Sequence, residues 1–281
     1  MGKRGTVQLN SIKPLEGHRP DYSSLSDMAW IYQTRPEYLE KMKLLQVIRE
    51  GTTAQLTEMI ESSSRPDELL NIQDDIGVGV LHMAARFDKP DMTAILLKHG
   101  ANPNAFLSVR HTPFAVACRF SSIGVIKVFL KHGVDPLFHV KDQGNALHSI
   151  ARFSSVAVAE LVYKKCKPPV DSRGQLGNTP LHYAAQYGND AMCRWLLQRG
   201  ADIKARCTRM ATPFMIGCKQ GHINVMHTLF LADTESGEVS ALTDVDDEWM
   251  GCLHYAVSEN QYQASLELLQ WGANPNTQNV S

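Results

Sequence analysis

Four histidines share one recurring slot and are the first residues of this chain whose spacing could do chemistry. His82, His148, His182 and His254 each follow a leucine, and Ala115 and Met215 fill the same slot between them. The steps from one slot to the next are 33, 33, 34, 33 and 39 residues. Imidazoles set out in this way could ligate a metal or exchange protons. If each step is one helical unit packed on the next, neighbouring slots lie about 10 Å apart. Zinc holds its ligands at about 2 Å, so two neighbouring units cannot share one ion. The expectation for all four is structural, with ring nitrogens bonded to backbone at a turn. No Ser-His-Asp, Cys-His or phosphate-loop pattern accompanies them. The chain reads as non-enzymatic, with no catalytic residue, no metal and no cofactor assigned.

A second recurring set carries charge. Four and five positions beyond the histidine slot stand Arg86-Phe87, Arg119-Phe120 and Arg152-Phe153, followed by Gln186-Tyr187 and Lys219-Gln220. Stacking at this period aligns the pairs in a row near one end of a helix. Two readings are open. The aromatics could pack on the adjacent unit, with the cations as solvated helix ends favoured by the helix dipole. Alternatively Arg86, Phe87, Arg119, Phe120, Arg152, Phe153, Tyr187 and Lys219 form an aromatic and cationic stripe for an acidic peptide or an intramolecular segment.

The elements that must position these residues are legible in the cleanest copy, Thr179-Pro180-Leu181-His182-Tyr183-Ala184-Ala185, with Gly188, Leu196-Leu197 and Gly200-Ala201-Asp202. Thr179 is placed to cap a helix with its hydroxyl, and Pro180 sits at the first helical position, where its missing N–H does no harm. Thr112-Pro113 and Thr212-Pro213 repeat the device. Ala184 and Ala185 allow close approach of neighbouring inner helices. Gly188, Gly221 and Asn260 suit the left-handed residue that ends such a helix. Leu96-Leu97, Phe129-Leu130 and their equivalents give the outer helices an apolar side. A period of about 33 with this phrase resembles the ankyrin repeat, a turn plus two antiparallel helices. The resemblance implies an all-α ankyrin-repeat solenoid with β-turn fingers, elongated, whose inner-helix ends border a concave groove. The array covers residues 38–276: a degenerate first helix pair at 38–63 and six repeats. Residues 1–37, rich in glycine, proline and serine, read as a flexible leader. Residues 277–281 read as the start of a further repeat.

Composition bounds the function. The formal net charge of −1 gives no electrostatic reason to expect nucleic acid. No apolar run reaches the roughly 18 residues needed to cross a bilayer, and the start lacks a secretory signal. Six cysteines are too sparse for a disulfide scaffold, so reduced, partly buried thiols in a cytoplasmic protein are expected. Met1-Gly2 and Thr6 fit the loose N-myristoylation pattern. Between Leu231 and Trp249 about six residues exceed the period, among them Asp233, Glu235, Glu238, Asp244, Asp246, Asp247 and Glu248. This stretch reads as a solvated, lengthened loop, and it lacks the spacing of an EF-hand. Trp271 and the helix face at Leu268-Leu269 are expected to expose apolar surface.

A narrower resemblance appears at the front. Gln55 to Ile60, then Leu69-Leu70-Asn71-Ile72-Gln73-Asp74-Asp75-Ile76-Gly77 and Leu81-His82-Met83-Ala84, is similar to the entry of the N-terminal array of TRPA-type transient receptor potential channels. Leu96 to Asn104 is similar as well. That resemblance implies the cytosolic front of a tetrameric cation-channel subunit at the plasma membrane, with a protein or intramolecular partner on the groove. A cytosolic adaptor, or the regulatory array of an enzyme such as a calcium-independent phospholipase, stays open beside it.

Overall fold

A computed structural model describes residues 36–71, 73, 77–106, 111–136, 138, 144–237 and 240–280. The leader, the N-terminal lipidation motif, Glu238, and Ile72, Asp74, Asp75 and Ile76 of the channel-like segment lie outside or between these residues. Two compact units divide the chain, residues 1–43 and 44–281. Of the first, the described residues are the opening turns of α1 (Pro36–Glu50).

The second unit is helical throughout, and among the described residues the extended pairing is an isolated bridge between Val245 and Gly251. It begins with the rest of α1, then α2 (Thr53–Ser62) and α3 (Pro66–Asn71). Thr52 and Gln55 form a capping box at the start of α2. The short α3 stands where the sequence suggested only a serine-rich link, and its Leu69 and Leu70 are buried. Six helix pairs follow. The inner helices are α4 (Val80–Arg86), α6 (Pro113–Arg119), α8 (Ala146–Phe153), α10 (Pro180–Gln186), α12 (Pro213–Gln220) and α14 (Cys252–Ser258). Their outer partners are α5 (Pro90–Lys98), α7 (Ile123–Lys131), α9 (Val156–Cys166), α11 (Asp190–Leu197), α13 (Ile223–Glu235) and α15 (Tyr262–Gln270).

Each inner helix packs on the inner helix of the next pair, and this inner row is the densest contact in the fold. Small buried residues make the approach possible: Ala84 and Ala85, Ala117 and Cys118, Ala151, Ala184 and Ala185. Behind them a second apolar layer is built from the outer helices, with Leu96, Val125, Ile126, Phe129, Val162, Leu196 and Leu229 buried. Burying one such side chain stabilises the fold by about 1.5–3 kcal/mol. Five of the six cysteines are buried and all six are free. Burial pushes the thiols of Cys193 and Cys252 up to about 12, and those of Cys118 and Cys218 well above their ordinary value, so the thiolate form is scarce.

Gly188 shows why the inner helices end where they do. It adopts φ +70°, and a Cβ there would stand 2.9 Å from the His222 ring. Only glycine satisfies both demands without strain.

Two expectations about the C-terminal repeats change. Trp271 is not left bare: its ring stacks on Phe230 at 4.6 Å and meets His227 at 4.8 Å, while Leu268 is buried and Leu269 remains exposed. The last turn of α15 leans back on α13, so that side of it is covered by the preceding repeat. The acidic insert is also not a solvated loop. Asp233 and Asp246 are buried. Asp233 accepts from the backbone N–H groups of Ser240 and Ala241, both at 2.8 Å. Asp246 accepts from Glu248 and Met250 N–H and from the Tyr255 hydroxyl at 2.6 Å. Asp244 pairs with Arg206, and Glu248 with Arg209, both at 2.7 Å. The carboxylates knit the insert onto the finger of the preceding repeat.

Candidate interaction surface at the ends of the inner helices

The two ends of the inner helices carry the two recurring sets of residues. At the N-terminal ends three of the four histidines are engaged on both ring nitrogens. His182 Nδ1 accepts the backbone N–H of Thr179 at 3.1 Å, and its Nε2 donates to the carbonyl of Ala211 in the next finger at 3.1 Å. His82 does the same between Gly79 N–H and His111 O, both at 3.1 Å, and His148 between Asn145 N–H at 3.0 Å and Ser172 O at 2.9 Å. His254 keeps the Nδ1 bond to Gly251 N–H at 3.2 Å. Each ring thus closes the first turn of its own helix, and three of the four tie it to the following unit. Burial, opposed by the Ala211 carbonyl, pulls His182 down to about 4, so the ring is neutral at physiological pH. This geometry leaves the four histidines no lone pair free for a metal. Among the described residues, no cluster of three His, Cys, Asp or Glu side chains could hold one.

The Thr179 hydroxyl does not cap the helix as the sequence suggested. It donates to His182 Nδ1 at 2.9 Å, because the ring occupies the place beside the first turn. In the two repeats without histidine the threonines do cap: Thr112 Oγ accepts from Ala115 N–H at 3.2 Å, and Thr212 Oγ from Met215 N–H at 3.3 Å.

At the C-terminal ends the arginines and rings interleave. The Arg86 guanidinium lies 5.8 Å from the Phe87 ring and 5.4 Å from Phe120 of the next repeat. Arg119 stands 5.8 Å from Phe120 and 4.6 Å from Phe153. Arg152 stands 4.5 Å from both Phe153 and Tyr187, and Phe153 and Tyr187 touch at 5.6 Å. A continuous row of ring, cation, ring runs across four repeats. Phe87, Phe120 and Tyr187 keep 38%, 46% and 40% of their surface exposed, enough to meet a ligand. Among the described residues no carboxylate forms an ion pair with Arg86, Arg119 or Arg152. The Arg152 Nε–H is buried with no acceptor. Two of these charges also push down a neighbouring histidine: His111 is lowered by burial first, and then by Arg119 and Arg152.

Lys219 does not join this row. Its ammonium pairs with Glu259 at 3.5 Å and lies 5.8 Å from the Tyr255 ring, while repeat 4 has Gln186 in the cation position. The positive stripe therefore ends at Arg152 and Tyr187.

A set of residues overlooked in the sequence fixes these helix ends in place. At four of the outer helices a residue at or just before the N-terminus donates to a carbonyl at the end of the preceding repeat's inner helix. Ser122 Oγ reaches Ala85 O, and Ser154 Oγ reaches Cys118 O. Asn189 Nδ2 reaches Ser154 O at 3.0 Å, and His222 Nε2 reaches Gln186 O at 3.1 Å. Carbonyls that would otherwise lack partners are satisfied across the seam between repeats. The arginines are consequently held on a braced backbone.

Comparison with known proteins places this geometry in a family. Residues 44–140 and 137–207 match the family described as ankyrin repeats (3 copies), and residues 250–280 match the ankyrin repeat. A relative from Caenorhabditis elegans, a transient receptor potential cation channel subfamily A member 1 homolog, is 25% identical over 188 residues. That alignment covers 65% of this chain and 12% of the relative. An E3 ubiquitin-protein ligase from Arabidopsis thaliana is 37% identical over 68 residues, covering 24% of this chain and 13% of the relative. Among solved structures, a chain of the complex between a predatory endopeptidase from Bdellovibrio bacteriovorus and an immunity protein superposes with a TM-score of 0.57 at 24% identity. It covers 66% of this chain and 95% of that one. No described helix is long and apolar enough to cross a membrane.

Proposed function

Because this chain belongs to the ankyrin-repeat family, we propose that it is a protein-recognition array whose binding face is the row from Arg86 to Tyr187. The observation that carries the reading is the row itself: three arginines in register beside half-exposed rings, with no carboxylate among the described residues paired to them. Structural ion pairs neutralise their charges locally. A charge row left open on a braced scaffold suits an acidic partner, and rings beside guanidinium groups are the usual composition of binding hot spots. The partner is an acidic protein segment, from another chain or from elsewhere in the same one.

The array is, on the same proposal, the cytosolic front of a TRPA-like cation-channel subunit. The similarity over 188 residues to the nematode channel homologue supports this finer reading. The short alignment to a ubiquitin ligase covers only repeat units and favours no catalytic role here.

Changing Arg86, Arg119 and Arg152 together to Gln tests the recognition surface. The melting temperature should stay within a few degrees: the exposed charges of Arg86 and Arg119 contribute little to stability, and Arg152→Gln removes a half-buried charge whose Nε–H has no acceptor. Binding of a glutamate-rich peptide should fall, and fall most at low ionic strength, where screening is weakest. Unchanged binding in the triple variant would move the interaction surface to the fingers. The channel reading is tested on the transcript beyond Ser281, where six apolar spans are expected and a Gly-x-Ser-x-Gly motif would count against it.

A further inference from the structure

The step of the cation row selects the backbone of its ligand. The ruler is the step between successive inner helices, about 8–10 Å; consistent with it, the guanidinium carbons of Arg119 and Arg152, 4.6 Å and 4.5 Å from the Phe153 ring, are at most about 9 Å apart. By the same construction, through Phe120 at 5.4 Å and 5.8 Å, Arg86 and Arg119 are within about 11 Å. Three chain conformations can be compared with that ruler. A β-strand returns side chains to one face at every second position, about 6.8 Å apart, or at every fourth, about 13.6 Å, so it falls short of the step or overshoots it. An α-helix advances about 10.5 Å in seven residues and drifts by about 20° over them, so a third acidic residue at i+14 has swung well off a straight line. A polyproline II chain has three residues per turn and rises about 3.1 Å per residue. Every third side chain returns to the same face after about 9 Å, with no drift.

The rings point the same way. Each guanidinium of the row lies beside a ring of its own repeat and a ring of the next, and Arg152 stands 4.5 Å from both Phe153 and Tyr187, whose centroids are 5.6 Å apart. With no carboxylate among the described residues paired to them, the guanidinium N–H groups are open to an acidic ligand, and the half-exposed rings are open to apolar neighbours between successive acids. Proline is the apolar residue that fits aromatic rings and also pre-sets this backbone, so little conformational entropy is lost on docking.

We infer that the row from Arg86 to Tyr187 recognises a polyproline II segment bearing a carboxylate at every third position, with proline-rich residues between. This rests on the recognition reading above and adds the register and conformation of the ligand. Its chemistry is acidic-x-x-acidic-x-x-acidic, one carboxylate for each of Arg86, Arg119 and Arg152, with the intervening residues on Phe120, Phe153 and Tyr187.

The test uses the whole 281-residue chain and three fluorescent peptides of equal charge, the two shorter ones padded with neutral residues to the length of the third. One repeats Glu-Pro-Pro three times, one has the same composition with its glutamates adjacent, and one is an alanine-rich helix with Glu at i, i+7 and i+14. Anisotropy at low ionic strength should show the periodic proline peptide binding roughly tenfold more tightly than the clustered one, since a mismatched ligand forfeits two of three charge contacts. Arg119→Gln, at the centre of the row, should abolish that preference while leaving the melting temperature unchanged. Equal binding of the periodic and clustered peptides, with both weakened in the triple Gln variant, overturns the register and leaves the recognition surface standing. Tighter binding of the helical peptide overturns the polyproline geometry. If no peptide responds to the triple variant, the recognition surface itself is wrong and the inference falls with it.

Discussion

The two ends of the inner helices use the same period for opposite purposes. At the N-terminal ends, His82, His148 and His182 are buried, and both nitrogens are bonded, one within the repeat and one to the next. At the C-terminal ends, Arg86, Arg119 and Arg152 also touch the next repeat, but through ring faces, and their charge is left open. The first line spends its polar groups on the fold, and the second keeps them for a partner. Two further cations show what closure looks like in the same molecule. Arg199 stacks on Trp195 at 3.9 Å but is neutralised by Glu160 at 2.5 Å, and Lys219 is neutralised by Glu259. An arginine on an aromatic ring is therefore not a binding signal in itself. The missing carboxylate is what sets the row apart.

The largest effect expected from this contrast is acid sensitivity of the histidine line. His182 is held at about 4 against an ordinary value of 6.5, so the unfolded chain takes up a proton in that window and the folded one does not. Stability is complete above about 6.5 and is lost as pH falls toward 4, by roughly 3 kcal/mol from this ring. Urea titrations at several pH values should show the loss, and His182→Ala should flatten the slope. The next effect is that of His182→Ala at neutral pH, which leaves the Thr179 N–H and the Ala211 carbonyl unpaired and should cost about 1–3 kcal/mol. Acidic-peptide affinity, measured well below the melting temperature, should stay the same. A variant that kept its stability but lost peptide binding would merge the two lines and end the comparison.

Smaller effects sharpen the other side. Glu259→Gln should release Lys219 and improve binding of a glutamate-rich peptide by roughly two- to threefold at low salt, the scale of one exposed ion pair. An unchanged affinity would mean that repeat 5 lies beyond the ligand's reach. The smallest signal is at His111, which Arg119 and Arg152 help to push down. A bound carboxylate offsets those charges, so the ring should titrate at higher pH in the complex, followed by NMR. Binding then takes up a fraction of a proton, and affinity should rise slightly as pH falls through that range.

The fold was legible in the sequence because each repeat declares itself locally. The Thr-Pro-Leu-His phrase, the paired alanines and Gly188 all act within one helix pair, and the arginine row follows from their period. What was not legible depends on partners far along the chain. Ser122, Ser154, Asn189 and His222 look like ordinary helix starts, and their acceptors lie 35 to 37 residues back. Asp233 and Asp246 look solvated because acids usually are, and only the path of the insert brings backbone N–H groups to them. Lys219 matches the register of the row, and its partner Glu259 stands 40 residues further on, where no local pattern pairs the two. Arg86, Arg119 and Arg152 could be placed in line from spacing alone. Their lack of counter-charges needed the surroundings.

The histidine bonds that cross between repeats also have a mechanical meaning. His82 bolts repeat 1 to repeat 2, His148 bolts 3 to 4, and His182 bolts 4 to 5. Between repeats 5 and 6, where Met215 fills the slot, Arg206 reaches across to Val245 O and Asp244 instead. Between repeats 2 and 3, Ala115 fills the slot, and the described contacts across the seam include the Phe106 ring stacked on Phe138 at 5.9 Å and the Ser154 hydroxyl donating to the Cys118 carbonyl. That joint is closed by a ring pair and a hydroxyl where its neighbours on either side use an imidazole, and it lies beneath the centre of the arginine row. A load along the stack would be carried there by contacts of a different kind, under the two arginines that share Phe153.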